Sequence, residues 1–371
     1  MKQDIVVIGG YGHVGGDISK QLGAKFPGKV YAAGRSLERA KQFAMQTGGQ
    51  VKPMAFDLNN WKQDIAFERV KLVVMCMDQT DDAFVQACLR SGTHYVDISA
   101  YGPFLTSVER HGEAAAQAKA TAVLSVGLAP GVTNLLARKA QQELDQLDSV
   151  DIAIMLGLGD QHGKAAIEWT VDSIGSAFSI VENGGVAQTV SFSGGKRTDF
   201  GKELGSRMAY RFPFSDQQSL PRTLNVPTVS TRLCFDSGAV TRLVAWIRAT
   251  GLFRLLRIKW IRSAAVSSFG MMRFGSDGYA VKVDGWGMKH GAKKHVQYLV
   301  DGSHEAAATA KVATAVAAAV YEGGLPGGVF HTEQLFELVK SGKEGSIALQ
   351  AAAGIMKRPQ VIEGLRYDSW E

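Results

Sequence analysis

Three glycines stand in Gly10-Tyr11-Gly12-His13-Val14-Gly15, directly behind the β-branched run from Asp4 to Ile8. In that setting the three serve a tight turn, close approach of backbone to a pyrophosphate, and close packing of helix on strand. A strand before and a helix after make the spacing specific, so Gly10, Tyr11, Gly12, His13, Val14 and Gly15 read as a dinucleotide turn. At the end of the second strand a carboxylate would bond a ribose 2′-hydroxyl, but this chain has Gly34, Arg35 and Ser36. A guanidinium grips a 2′-phosphate bidentately and a serine adds a hydroxyl donor, which favours NADP(H) over NAD(H); a solvated surface Arg35 is the competing reading. Asp57, after the third strand, is placed for the adenine amino group or else for a structural turn. Met77 and Asp78, past the fourth strand, would lie along the cofactor's ribose.

In an open α/β sheet ligands sit beyond the carboxyl ends of the strands, where Asp97, Ser99, Tyr101, Gly127, Pro130 and Gly131 all fall. Ser99 and the backbone from Gly127 to Gly131 would hold the carboxamide and ribose of the nicotinamide half. Asp97 is either a substrate or proton-relay group or the anchor of the next loop. Tyr101 is a candidate proton donor, set against a loop aromatic packed on a helix. Asp160, His162 and Glu168 lie in a glycine-rich loop leading into a helix, where a ligand could approach closely. His162 titrates near neutrality and is a candidate acid, the alternative being a solvated loop residue. Glu168, Trp169 and Thr170 open the helix and could face substrate, or Glu168 could complement the helix dipole.

The elements that must position these groups alternate. Strands fit residues 4–8, 29–34, 51–56, 71–77 and 93–99, with helices at 13–24, from Ser36, and from Asp81 to Ser91, the rhythm of a doubly wound parallel sheet. An Ala-rich helix at 113–120, a strand at 121–127, the turn Ala129-Pro130-Gly131-Val132 and a helix near 134–144 follow. Beyond Val150 the strands lengthen and alternate with period two, and 279–287 with 294–302 reads as a hairpin, so a second, α+β domain of mixed or antiparallel sheet is expected. Residues 303–321 form a strong helix with Ser303 as N-cap. The expected division is a Rossmann NADP-binding domain at 1–130, a substrate and dimerisation domain at 131–302, and C-terminal helices at 303–371 returning to the first domain.

With 371 residues, 46% hydrophobic and 20% charged, the chain has a soluble globular balance and length for two domains. The net charge of +6 is a mild excess that could attract a phosphorylated cofactor, an acidic substrate or an anionic surface and decides nothing alone; no nucleic-acid partner is expected. Cys76, Cys88 and Cys234 form no metal-ligand spacing, so no metal is expected and a reduced, cytoplasmic setting is the economical reading. The N-terminal residues enter a strand with no signal-like stretch.

The run His94-Tyr95-Val96-Asp97-Ile98-Ser99, then Gly127-Leu128-Ala129-Pro130-Gly131-Val132-Thr133-Asn134, and the loop and helix at 157–170 together resemble the saccharopine dehydrogenase-like family. The likeness runs over about residues 4–175. It implies a Rossmann domain with an inserted α/β domain, NAD(P)(H) as hydride carrier, a small-molecule substrate and commonly a homodimer. It also implies an oxidoreductase whose typical chemistry is reduction of a C=N bond formed from an amine and an oxo acid, and the family includes members that reduce C=C bonds in lipids. Relatives acting on amino-acid imines often have Asp-Pro-Gly where this chain has Ala129-Pro130-Gly131, which removes a candidate carboxylate. A non-catalytic NADP(H)-binding sensor is the reading from another class.

From Arg242 to Arg273 the sequence interleaves Trp246, Phe253, Trp260 and aliphatic residues with arginines and a lysine. It has the make-up of an interfacial amphipathic element. A dimer interface or lid, a wall of a greasy pocket, and membrane-surface contact through 242–262 are the three readings it allows.

Overall fold

The β-branched runs Asp4–Ile8 and Val70–Met75 form strands of five and six residues with side chains buried on both faces, as parallel pairing under helices requires. The strands of this region are β1 (Asp4–Ile8), β2 (Val30–Gly34), β3 (Val51–Ala55), β4 (Val70–Met75), β5 (His94–Asp97) and β6 (Thr121–Leu124). The computed structural model describes residues 2–161, 163–271, 275–341, 346–351 and 359–370. Within it the chain divides into two units: the first holds Met1–Val132, Thr309–Ser341 and Ile347–Glu363, and the second is chiefly Thr133–Ala308 with Gly364–Glu371.

The sheet of the first unit runs in the order Gly328–His331, β6, β5, β4, β1, β2, β3, every pair parallel. This is the doubly wound order, with its direction of winding reversing between β1 and β4. The helix α1 (His13–Lys25) leaves β1, and α2 (Leu37–Met45) leaves β2 with Ser36 as its N-cap, the Ser36 hydroxyl accepting from the Arg39 amide at 3.3 Å. A helix at Gly102–Glu109, which the sequence reading passed over as loop, precedes Gly112–Gln117; Pro103 sits in its first turn, where the missing N–H costs nothing.

The second unit is built on a mixed sheet. Its order is Lys196–Asp199, Ser206–Arg211, Thr228–Phe235, Gln146–Leu156, Gly278–Lys289, Ala292–Ser303, Arg366–Trp370, with only Thr228–Phe235 and Gln146–Leu156 parallel. The expected hairpin is present, twelve residues to a strand. Along its first strand Tyr279, Val281 and Val283 face one side, where the helix Thr133–Glu143 packs and Gly285 leaves room for Ala140. Lys282, Asp284 and Trp286 face the other.

Two expectations for the C-terminal part are corrected. The long helix is Glu305–Glu322, and its first amide donates to the Asp160 carboxylate at 2.8 Å, so Asp160 rather than Ser303 caps it. After it the described residues form one short helix, Thr332–Leu335, and otherwise strands: Gly328–His331 in the Rossmann sheet, three strands in a small sheet of their own, and Arg366–Trp370 in the second unit's sheet. The β-branched and aromatic make-up of those segments carries too short a period to separate strand from helix in sequence. Among the described residues, no helix is long and apolar enough to cross a membrane.

Candidate functional site

The glycine turn is closed by backbone contacts that tolerate no side chain at two of its three positions. A Cβ on Gly10 would stand 2.5 Å from the Val7 carbonyl oxygen, and one on Gly15 would run into the Gly9 carbonyl oxygen. The buried Ser19 hydroxyl donates to the Gly10 carbonyl at 2.8 Å and fixes the turn from below. Gly12 differs: it is exposed, and the only heavy atom near its missing Cβ is the Gly9 oxygen at 3.1 Å. It is the position where a ligand could approach the backbone. From Gly12 onward α1 starts with no side-chain cap and no acidic residue in its first turn, which leaves its amide donors and positive dipole end for an anion. His13 is exposed and Val14 half-buried at this end. Met77 closes the other side, its Cγ 2.9 Å from where a Gly9 Cβ would be.

At the carboxyl end of β2 the groups are interlocked. The Ser36 amide donates to the Tyr11 hydroxyl at 3.0 Å, and the Tyr11 ring lies directly over Gly34. Arg39 stacks on the same ring, its guanidinium carbon 5.2 Å from the Tyr11 ring centroid. Arg35 is exposed, and among the described residues neither Arg35 nor Arg39 pairs with a carboxylate. Arg35 and Ser36 are the residues expected here from sequence; Arg39, set over Tyr11 with its amide on the Ser36 hydroxyl, and the seating of Tyr11 itself are not.

Asp57 uses one carboxylate oxygen for the turn that follows β3, accepting from the Asn59 amide at 3.0 Å and the Asn59 side chain at 3.2 Å. The next residues line a cavity of about 440 Å³ with Asn59, Trp61, Gln79 and Phe84 among its walls. Asp78, at the end of β4, has its carboxyl raised by desolvation.

Asp97 is completely buried. Its Oδ2 accepts from the Tyr95 hydroxyl at 2.5 Å and from Gln79 at 3.3 Å, and its Oδ1 accepts from the Ser99 amide at 2.7 Å. Burial raises its carboxyl to about 6, against the lowering effect of the Tyr95 and Ser99 hydrogen bonds. Oδ1 therefore holds the loop after β5, and Oδ2 ties the end of β5 to Tyr95 and to Gln79 of the segment after β4. Ser99 in turn accepts from the Tyr101 amide at 3.2 Å, and the Tyr101 side chain, 56% exposed, is left pointing outward from the start of Gly102–Glu109. Gln79 Oε1 is buried with no hydrogen-bond partner among the described residues.

The turn after β6 is buried: Gly127, Pro130 and Gly131 are all inside, and the two glycines take φ of +151° and +135°, a region that excludes ordinary side chains. The Leu128 amide donates to the Thr309 hydroxyl at 3.2 Å. Just before this turn lies a chain of groups that sequence reading did not find. Ser125 Oγ meets His331 Nδ1 at 2.7 Å and His331 Nε2 meets Glu109 Oε1 at 3.0 Å, with Ser125 and His331 buried. Ser125 and His331 lie 206 positions apart, so no spacing could signal them.

Glu168, Trp169 and Thr170 belong to the second unit, and each is engaged there. Trp169 packs edge-on against Phe212 and Phe214 at 5.0 and 5.2 Å, the Thr170 hydroxyl donates to the Ala166 carbonyl at 2.8 Å, and Glu168 stands 3.8 Å from Lys164 and 4.0 Å from Arg262. His162 lies outside the described residues. The glycines of its loop serve backbone packing: Cβ atoms on Gly157 and Gly159 would collide with carbonyl oxygens of 275–278. The same unit carries a charged ladder on the polar face of its sheet. Asp151 and Asp284 stand opposite one another; Arg232 at 3.0 Å and Lys196 pair with the first, and Lys282 at 3.3 Å and the His295 ring at 2.9 Å meet the second. The three cysteines are unpaired, and burial pushes the Cys234 thiol up to about 12 and the others higher, so none is a thiolate.

An open parallel sheet with a glycine turn at an uncapped helix start and two guanidinium groups beyond β2 defines a nucleotide-binding Rossmann domain with a cation-rich ribose end. Residues 5–124 match the saccharopine dehydrogenase NADP binding domain, and NADP is the nucleotide that this match supports. Over both units the chain is similar in fold to apo saccharopine dehydrogenase (L-Glu forming) from Saccharomyces cerevisiae, with TM-score 0.66, 14% identity, and coverage of 89% of this chain and 94% of the yeast one. DAP dehydrogenase of C. glutamicum covers 90% of this chain and 94% of its own at 14% identity and TM-score 0.44. Among curated protein sequences none matches.

Proposed function

We propose that the chain is an NADPH-dependent oxidoreductase that delivers hydride to the C=N bond of an adduct between an amine and an oxo acid. The observation that carries the reading is the uncapped start of α1 at exposed Gly12 together with Arg35 and Arg39 at the end of β2. NADPH supplies the hydride when bound. The turn amides hold its pyrophosphate, Arg35 and Ser36 take the 2′-phosphate, Met77 and Asp78 flank the ribose, and Asp57 and the walls of the neighbouring cavity receive the adenine. Asp97 holds Ser99 and hence the loop that presents Tyr101, the candidate donor of a proton to the reduced nitrogen. An iminium is already electrophilic, so positioning contributes most and little acid–base machinery is required. The likeness in fold to the yeast saccharopine dehydrogenase supports the reading. A homodimer and a cytoplasmic location, the latter supported by three unpaired thiols, are part of it.

NADPH oxidation followed with a panel of primary amines each paired with a 2-oxo acid tests the proposal. Turnover only with amine and oxo acid together is the expected result; NADPH binding without turnover on any pair would leave a nucleotide sensor. A second reading, reduction of a C=C bond in a lipid, is favoured by the exposed apolar and cationic segment from Gly238 to Met271. Turnover with enoyl lipids and none with imines would select it.

A further inference from the structure

We propose that the segment from Gly238 to Met271 docks the protein on an anionic lipid surface. It comprises the helix Gly238–Ala249, a tight helical turn at Leu252–Arg257 and the helix Lys259–Met271, packed in succession. Its inner side is anchored. The buried Thr241 hydroxyl accepts from the Phe235 amide at 2.9 Å, Phe269 packs on Phe235 with ring centroids 5.5 Å apart, and Phe253 fills the space above Gly175. Arg262 grips Asp172 with two hydrogen bonds of 2.6 Å.

The outer side has no such partners. Leu243, Trp246, Leu255, Ile258 and Trp260 are exposed, Trp246 by 55% and Trp260 by 72%, and apolar groups gathered on one exposed element mark an interaction surface. In the first helix Arg242, Leu243 and Trp246 lie on one exposed face at spacings of three and four residues. Interleaved with the apolar groups are Arg242, Arg254, Arg257 and Lys259, all exposed, and among the described residues none of them pairs with a carboxylate. From 238 to 271 the sequence has six basic residues and no acidic one.

That charge pattern decides between occupants. A second copy meeting this patch across a two-fold axis would set it against itself, cation on cation, with no carboxylate of its own to answer them. A bilayer carrying anionic headgroups answers every cation, and tryptophans with aliphatic neighbours enter the headgroup boundary beside them. The helices are too short to cross the membrane, so the element lies on the surface.

The test is flotation of the whole protein with vesicles of phosphatidylcholine alone and of phosphatidylcholine mixed with phosphatidylglycerol. Binding to the mixed vesicles, release by salt, and little binding to neutral ones are expected. Trp246→Ser with Trp260→Ser, and separately Arg254→Glu with Arg257→Glu, should each lower the bound fraction by about tenfold or more, because apolar insertion and charge attraction are both required. NADPH affinity and thermal midpoint of both variants should stay at the parent values, which separates loss of docking from misfolding and from failure of the nucleotide reading. No flotation, equal flotation with neutral vesicles, or unchanged flotation of the variants would overturn the proposal. So would a dimer, seen by light scattering, that the tryptophan variant dissolves.

Discussion

The hydroxyl of Tyr11 would lie 2.5 Å from a Cβ at position 34, and Gly34 has none. This fit lets the second residue of the glycine turn reach across to the end of β2 and accept the Ser36 amide, so the two places proposed for the pyrophosphate and the 2′-phosphate are joined by a hydrogen bond. Gly34→Ala should therefore displace Tyr11 and weaken NADPH binding without touching the phosphates' own donors.

Gly12 and Gly15 should fail differently. Gly15→Ala drives a methyl into the Gly9 carbonyl and should destabilise the first unit by about 1–3 kcal/mol as well as abolish NADPH binding. Gly12→Ala meets only one atom at 3.1 Å, so its thermal midpoint should stay near the parent's while NADPH affinity falls about tenfold or more, the methyl occupying the approach to the pyrophosphate. Calorimetric titration alongside a thermal melt distinguishes the two.

Arg35→Asp should reverse the preference for the phosphorylated nucleotide. Each charge-assisted bond to the 2′-phosphate is worth about 1.5–3 kcal/mol, so the ratio of NADPH to NADH affinity should drop about tenfold or more. Arg39→Ala should lower it less, since Arg39 also stacks on Tyr11. An unchanged ratio in Arg35→Asp would remove Arg35 from the site.

Acid stability should conceal two opposed groups. Burial raises the Asp97 carboxyl from 3.8 to about 6, so its contribution favours the fold below pH 4 and is lost as pH rises through 6. Burial, with Lys71 and Lys2 nearby, lowers His94 from 6.5 to about 4, so its contribution is full above pH 6.5 and is lost as pH falls toward 4. Two pKa units amount to about 3 kcal/mol, and the two slopes nearly cancel. Asp97→Asn should expose stability rising with pH from 4 to 6.5, and His94→Gln stability falling over pH 4 to 6, both read from denaturant midpoints.

Tyr101→Phe isolates the proton donor. If the exposed phenol protonates the product, turnover should fall by about 10² to 10⁴ with NADPH affinity intact. A loop aromatic of merely structural value would leave the rate within a small factor of the parent.

His331→Ala should cost stability of about 1–3 kcal/mol for each buried group it orphans, Ser125 foremost. Urea unfolding measures this. Glu109→Gln keeps a hydrogen-bonding side chain against His331 and should cost less.

What the sequence determined by itself is local. A β-branched run, a glycine turn and a following helix are within hydrogen-bond reach along the chain, so Gly10 to Gly15, the helix opening at Ser36 and the alternation of strand and helix were legible from residue type and period. The tertiary structure decided what depends on residues distant in the chain. Arg39 stacks on Tyr11 of the glycine turn, Asp97 is tied to Gln79 as well as to its neighbours Tyr95 and Ser99, and Ser125 meets His331 through a strand that closes the sheet's far edge. The loop glycines at 157 and 159, read as room for a ligand, are filled by backbone from 275–278. Glycine, aspartate and histidine have the same signature in sequence whether they face a ligand or a neighbouring strand, because only the packing of the fold settles which partner reaches them first.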